Sequence, residues 1–191
     1  MKKYTSLADP EIAMLLNQST VGVLPTDTVY GIVARALDKV AVARLYHIKH
    51  REGKPGTVIA ADREQLEALG IGREYLDEVM HLWPNPVSVV LPAGPQLAYL
   101  DQGKASLAVR IPSDPAVQAL LQQTGPLVTS SANMPGEAPA TNTAEAEAYF
   151  GDAVDFYVGG SEGERPSSTV LLLQPDGSLT VLRQGAITID V

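Results

Sequence analysis

Residues 24–31 read LPTDTVYG and place Thr26, Asp27, Thr28 and Tyr30 directly after the apolar run 20–24. Short hydroxyls, a carboxylate and a phenol in so small a space suit the recognition of a polar substrate, because each can be oriented toward one donor or acceptor. A second polar cluster, TSSANMPG at 129–136, follows the run PLVT and offers Ser130, Ser131 and Asn133. Taken singly, either cluster has a plainer reading as local turn bonding. Arg110 is harder to set aside. It stands inside the apolar stretch VRIP at 109–112, where an unpaired guanidinium is costly, so it requires a carboxylate or a phosphate.

Charge is distributed unevenly. The 191 residues carry 14 Lys plus Arg against 22 Asp plus Glu, a formal net charge of −8. A general polyanion-binding surface needs the opposite balance, so broad nucleic-acid binding is disfavoured. Residues 44–54, RLYHIKHREGK, nevertheless carry Arg44, Lys49, Arg51 and Lys54 against the single carboxylate of Glu52. Two readings stay open for that stretch: a solvated helix end, where cations face the negative end of the helix dipole, or a cationic site.

Common signatures are absent. Gly103-Lys104 has Ala98 where a phosphate-binding P-loop requires glycine, and Ala105 follows; no G-x-G-x-x-G follows a strand, so a nucleotide site must be built from side chains. His47 and His50 are spaced i, i+3 without a third ligand, and His81 stands alone. No metal site is assigned on that basis. No base stands out beside a nucleophile, which leaves a serine triad without support. Cysteine is absent, in keeping with a reducing compartment. The N-terminus turns polar at once, no apolar run approaches the ~20 residues a membrane helix needs, and a soluble cytoplasmic protein is expected.

These residues must be held by an alternating framework. Short apolar runs rich in β-branched residues at 21–24, 57–60, 87–91, 107–111, 126–129, 154–158, 169–173 and 179–182 predict strands. Helices are predicted over 38–49, over 62–69 with a capping box at Asp62 and Gln65, from Asp114-Pro115 through AVQALL, and over 145–150 capped by Asn142. The last two strands are expected to form a hairpin through Pro175–Gly177. The class is α/β, α+β-like, and 45% hydrophobic content over this length fits a single domain spanning 1–191. The loop GGSEGERPSS at 159–168 is the candidate lid.

In their order along the chain, PTDTVYG, Lys49-x-Arg51, WPNPVS, VRIP, SSANMPG, PSSTV and LRQGAI together resemble the YrdC/TsaC family of threonylcarbamoyl-AMP synthases, in its short bacterial form. The resemblance runs nearly end to end. It implies a YrdC-like twisted mixed sheet flanked by helices, with a concave ligand cavity and no additional C-terminal domain. The implied reaction converts L-threonine, bicarbonate and ATP to threonylcarbamoyl-AMP and pyrophosphate, for a TsaD-type transferase that modifies tRNA; direct tRNA binding would be weak or absent. By similarity, Thr28, Tyr30, Arg110, Ser131 and Ser168 line the threonine side. Arg51, Lys54, Ser88, Asn133, Thr141 and Arg183 line the ATP side, and Lys49 lies between the two sides near the reacting phosphate, also binding ATP, with Lys49 and Arg51 as the catalytic residues. Asp27 is read as an Asx turn, with a place beside a magnesium ion carried by ATP as the alternative. Glu52 stands where the family usually has proline, and Asn85 and Ser88 replace a usual glycine and threonine. A family paralogue that binds RNA or a nucleotide without synthesis is the second reading.

Overall fold

The computed structural model describes residues 1–160 and 165–190, and among them are seven α-helices, five of which begin where a side chain supplies a first-turn acceptor. The seven are α1 (Pro10–Leu16), α2 (Lys39–Ile48), α3 (Arg63–Leu69), α4 (Arg73–Val79), α5 (Ala98–Asp101), α6 (Pro115–Thr124) and α7 (Thr143–Phe150). Side chains of Asp9, Asp38, Asp62, Asp114 and Asn142 accept from exposed first-turn amides of α1, α2, α3, α6 and α7, satisfying donors that have no partner within the helix. Proline opens α1 and α6, where its missing amide costs nothing. The helices expected from Asp38, Asp62, Asp114 and Asn142 are all present.

Ten strands among the described residues complete the framework: β1 (Lys2–Tyr4), β2 (Val21–Leu24), β3 (Gly31–Arg35), β4 (Thr57–Ile59), β5 (Val87–Pro92), β6 (Ser106–Arg110), β7 (Leu127–Ser131), β8 (Phe156–Val158), β9 (Thr169–Leu173) and β10 (Leu179–Arg183). They form one mixed sheet in the order β1-β8-β2-β3-β7-β4-β6-β5-β9-β10. Gly177, at φ +82°, turns the expected β9–β10 hairpin. A mixed sheet flanked by helices is what the family resemblance implies. Among the described residues no helix is long and apolar enough to cross a membrane.

Strand alternation divides the core into two. Val33, Ile59, Leu127, Phe156 and Val158 pack under α1 and α6. Ile32, Val58, Val109, Val128 and Tyr157 pack on the other face, with Leu45 of α2, Leu66 of α3, Leu76 of α4 and Phe150 of α7. The Phe156 ring lies across Gly22 of β2, where a Cβ would come within 2.2 Å of it. A side chain at position 22 would displace that ring.

The face under α1 and α6 is covered only in part. Moving along β3, β7 and β4 by two residues replaces Val33, Leu127 and Ile59 with Gly31, Thr129 and Thr57. The registers place Ala108 and Arg110 beside Thr57 and Ile59, Ser88 beside the end of β6, and Val170 opposite Ser88. Small and polar residues therefore occupy the uncovered half.

Three differences from the sequence reading follow from the same geometry. Strand β3 goes unpredicted because GIVAR is buried on both faces and lacks alternation. The expected strand 126–129 extends to Ser131, so Ser130 and Ser131 are strand residues rather than turn residues. Helices α1, α4 and α5 and strand β1 are additional, and α4 starts from Gly72 with no side-chain cap. Because Phe156 is fully buried, Phe156→Ala is expected to lower the unfolding free energy by about 3–5 kcal/mol, read as a shifted urea midpoint at unchanged m-value.

Candidate active site

The uncovered half of the sheet floors a cleft of about 270 Å³. Gly31, Thr57, Ala108, Thr129 and Val170 line it, and the wall carries Thr26, Thr28, Arg51, Arg110, Ser130, Ser131, Ser168 and Arg183. Gly31 is needed there because a Cβ would stand 2.4 Å from the Thr129 hydroxyl. A second hollow of about 240 Å³ adjoins it, sharing Thr26, Thr28, Val29 and Ser167 and adding Tyr30, Thr141 and Arg165 against Pro25, Ala138, Pro139 and Ala140.

Arg110 has the partner its position in β6 demands. It is 3% exposed, and its Nη2 lies 3.0 Å from Asp27 Oδ1. That oxygen is close enough for an ion pair but not aligned for a hydrogen bond; the other carboxylate oxygen accepts from the Ser113 amide. Long contacts of 3.5 and 3.4 Å reach the hydroxyls of Ser88 and Thr28. Arg110 Nε is buried with no partner. Burial pulls the guanidinium pKa down and Asp27 opposes the shift; the group stays charged. The Asx turn expected of Asp27 is replaced by this pairing: Thr26 forms the local turn instead, its hydroxyl accepting from the Thr28 amide and donating to the Val29 carbonyl.

Lys49, the C-cap residue that follows α2, is buried at 4% exposure rather than solvated. Its Nζ donates to the carbonyls of Ser131 and Asn133 and to Asn133 Oδ1. Asn133 Oδ1 also accepts from the Ser131 hydroxyl at 2.7 Å, and its Nδ2 donates to the Glu137 carbonyl. The lysine thus pins the turn after β7 from behind. Burial first, and then repulsion from Arg51, push its pKa down to about 8.

Arg51 enters the cleft. Nη1 donates to Ser130 Oγ at 2.6 Å, while Nε and Nη2 donate to the carbonyls of Lys54 and Pro55, so the guanidinium is wrapped by its own loop. Lys54 is not brought to the cleft; with Glu52, His47 and His50 it lines a separate depression on the far side of Arg51. Glu52 thus lines that depression and not the cleft. Arg44 pairs with Asp155 at 2.6 Å, which disperses the cationic stretch of the sequence among a buried tether, a cleft residue and a structural ion pair.

The remaining expected residues divide. Ser88 is fully buried and donates to Ser168 Oγ at 3.0 Å. Arg183 Nη2 donates to the Ser168 carbonyl at 2.9 Å. Thr141 lies in the second hollow, its amide and hydroxyl bonded to the Glu145 carboxylate. Tyr30 is there too, and buried. Residues 161–164 of the expected lid lie outside the described residues. Sequence reasoning missed Arg165, Ser167 and the small floor residues. The floor had a signal, since Thr57, Ala108 and Thr129 break the apolar pattern at alternate positions.

Fold and cleft define a mixed α/β protein with guanidinium and hydroxyl groups gathered on an uncovered sheet face. The chain belongs to the Sua5/YciO/YrdC family, described as "Telomere recombination", whose sequence pattern matches residues 14–185. It is 37% identical over 160 residues to a threonylcarbamoyl-AMP synthase of Chromohalobacter salexigens, covering 81% of this chain and 86% of that one. A Klebsiella pneumoniae protein of the same name is 34% identical over 172 residues, covering 83% and 87%. Among solved structures, Sua5 of P. abyssi complexed with L-threonine is similar, with TM-score 0.80 and 29% identity over 92% of this chain and 53% of that one. The chain thus spans about half the length of that Sua5. E. coli YciO, at TM-score 0.78 and 23% identity over 92% of this chain and 87% of that one, shares the fold.

The lowered Lys49 pKa sets a testable pH dependence. The unfolded chain holds this proton up to about 10.5 and the folded chain to about 8, so between those values the unfolded state binds more protons. The penalty for burying charged Lys49 is therefore full below pH 8 and relieved toward pH 10.5. Urea unfolding at pH 8 and pH 10 should show wild type gaining stability relative to Lys49→Met at the higher pH.

Proposed function

We propose that the chain is a nucleotidyltransferase, a threonylcarbamoyl-AMP synthase, and that the cleft is its site. The observation that carries this reading is the convergence of Thr28, Arg51, Arg110, Ser131, Ser168 and Arg183 on one cleft, in a chain whose relatives bear that name.

L-Threonine occupies the cleft. Its carboxylate meets Arg110, whose guanidinium lines the cleft and offers an anionic ligand charge-assisted bonds. The hydroxyls of Thr28, Ser131 and Ser168 read its polar groups, and a site built to bond a substrate hydroxyl rejects analogues lacking it. The amine joins bicarbonate to give a carbamate with loss of water. A carbamate oxygen then attacks the α-phosphorus of ATP, the bond from that phosphorus to the bridging oxygen of the β-phosphate breaks, and pyrophosphate departs. Negative charge spreads over the phosphates in that transition state, so the fixed guanidinium groups of Arg51 and Arg183 stabilise it more than the ground state.

Lys49 positions the Ser131–Asn133 turn. A neutral amine has two N–H donors and could not satisfy three oxygen acceptors, so the bonding at Nζ favours a fixed ammonium over a base. Magnesium would be carried in with ATP to offset phosphate charge, Asp27 being engaged with Arg110. The product is handed to a TsaD-type transferase for tRNA modification. Direct RNA binding is the weaker reading, because the cations at 44–54 do not share an open face.

Pyrophosphate release from ATP should require both L-threonine and bicarbonate, and Arg51→Ala should lower kcat/KM by about a hundredfold while the protein stays folded. Release that ignores threonine, or is as fast with serine, contradicts the proposal.

A further inference from the structure

Four guanidinium groups border the two hollows among the described residues, and three of them, Arg51, Arg110 and Arg183, border the cleft alone. Arg165 borders the second hollow. The walls there are Pro25, Val29, Pro139 and Ala140 together with hydroxyl-bearing residues, so this guanidinium is its one charged lining group among the described residues. Nη1 of Arg165 donates to the Thr26 carbonyl at 2.9 Å. Thr26 belongs to both hollows, as do Thr28, Val29 and Ser167. Arg165 is therefore anchored on the ridge where the two spaces meet.

A molecule that fills both must cross that ridge. Resting on the synthase reading, the adenylate has the matching layout: a nucleoside with a flat base at one end, a polar amino acid at the other, and one anionic phosphate between them. Neither hollow, at about 240 and 270 Å³, has walls suited to both ends. The apolar wall suits the base, and the hydroxyl-rich cleft suits the amino acid. The charge at the midpoint falls on the ridge and calls for a cation beside it. A guanidinium has five N–H donors, so a bond to a carbonyl is compatible with a bidentate contact to phosphate.

We propose that Arg165 is a further substrate-binding residue, which holds the phosphate linking nucleoside to acyl group at the junction of the two hollows. Its lysine substitute keeps the charge but loses the planar fork and serves less well.

The test compares wild type, Arg165→Ala and Arg165→Lys by steady-state pyrophosphate release and by calorimetric titration with ATP. The alanine variant should raise KM and Kd for ATP about tenfold or more, leave KM for threonine within about twofold, and be partly rescued by lysine. An unchanged Kd for ATP overturns the inference. So does an equal rise in both KM values, which marks Arg165 as a brace for the Thr26–Tyr30 turn. If wild type releases no pyrophosphate, the synthase reading fails by itself, and the ATP titrations still decide the phosphate contact: tenfold weaker binding in the alanine variant supports it and equal binding overturns it. Should the alanine variant not fold, the lysine variant gives the same decision through weaker or equal ATP binding.

Discussion

A guanidinium buried in an apolar strand has to be answered by an anion, and the site follows from how this chain supplies one. Arg110 ends β6, while Asp27 sits on the connection between β2 and β3. Strands β7 and β4 lie between β3 and β6 in the sheet, a separation of roughly 14 Å at ~4.8 Å per strand. For the two charges to meet, the connection leans over the sheet and becomes the wall of a cleft floored by those strands. The pair thus sets both the position of Thr26 and Thr28 and the space beneath them. Removing either partner leaves a buried charge alone, which typically costs about 3–5 kcal/mol.

The same economy appears at Lys49. Its ammonium stays behind the turn after β7, gathering oxygens of Ser131 and Asn133, while Arg51 two residues on emerges into the cleft. One short segment after α2 thus both shapes the site and charges it. Helix coverage does the rest. Helices α1 and α6 pack over Val33, Ile59 and Leu127 and leave the neighbouring Gly31, Thr57 and Thr129 open to the cleft, where small side chains keep the floor low.

Much of this was legible in the chain, for physical reasons that differ by residue. Aspartate caps and first-turn prolines announce α2, α3 and α6 because they act locally. The need of Arg110 for an anion follows from VRIP alone, but its identity does not, since the choice of Asp27 depends on the order of strands in the sheet. Strand β3 hides because burial on both faces removes the alternation that marks a strand. Ser130 and Ser131 read as a turn because hydroxyl groups are common there, whereas β7 carries them in extended form to the edge of the cleft. The resemblance groups Lys54 with Arg51 on the ATP side, whereas in the fold Lys54 lines a separate depression beside Arg51 and not the cleft. Arg165 lay in no motif that spacing could reveal.

The central claim is that the uncovered half of this sheet face receives the amino acid, and filling its floor is the most direct test. Ala108 lines the cleft from β6, so Ala108→Leu adds bulk there without removing a polar contact. Calorimetric titration with L-threonine should show binding to the wild-type protein and none to a folded Ala108→Leu variant. Undiminished threonine binding by that variant would contradict the account.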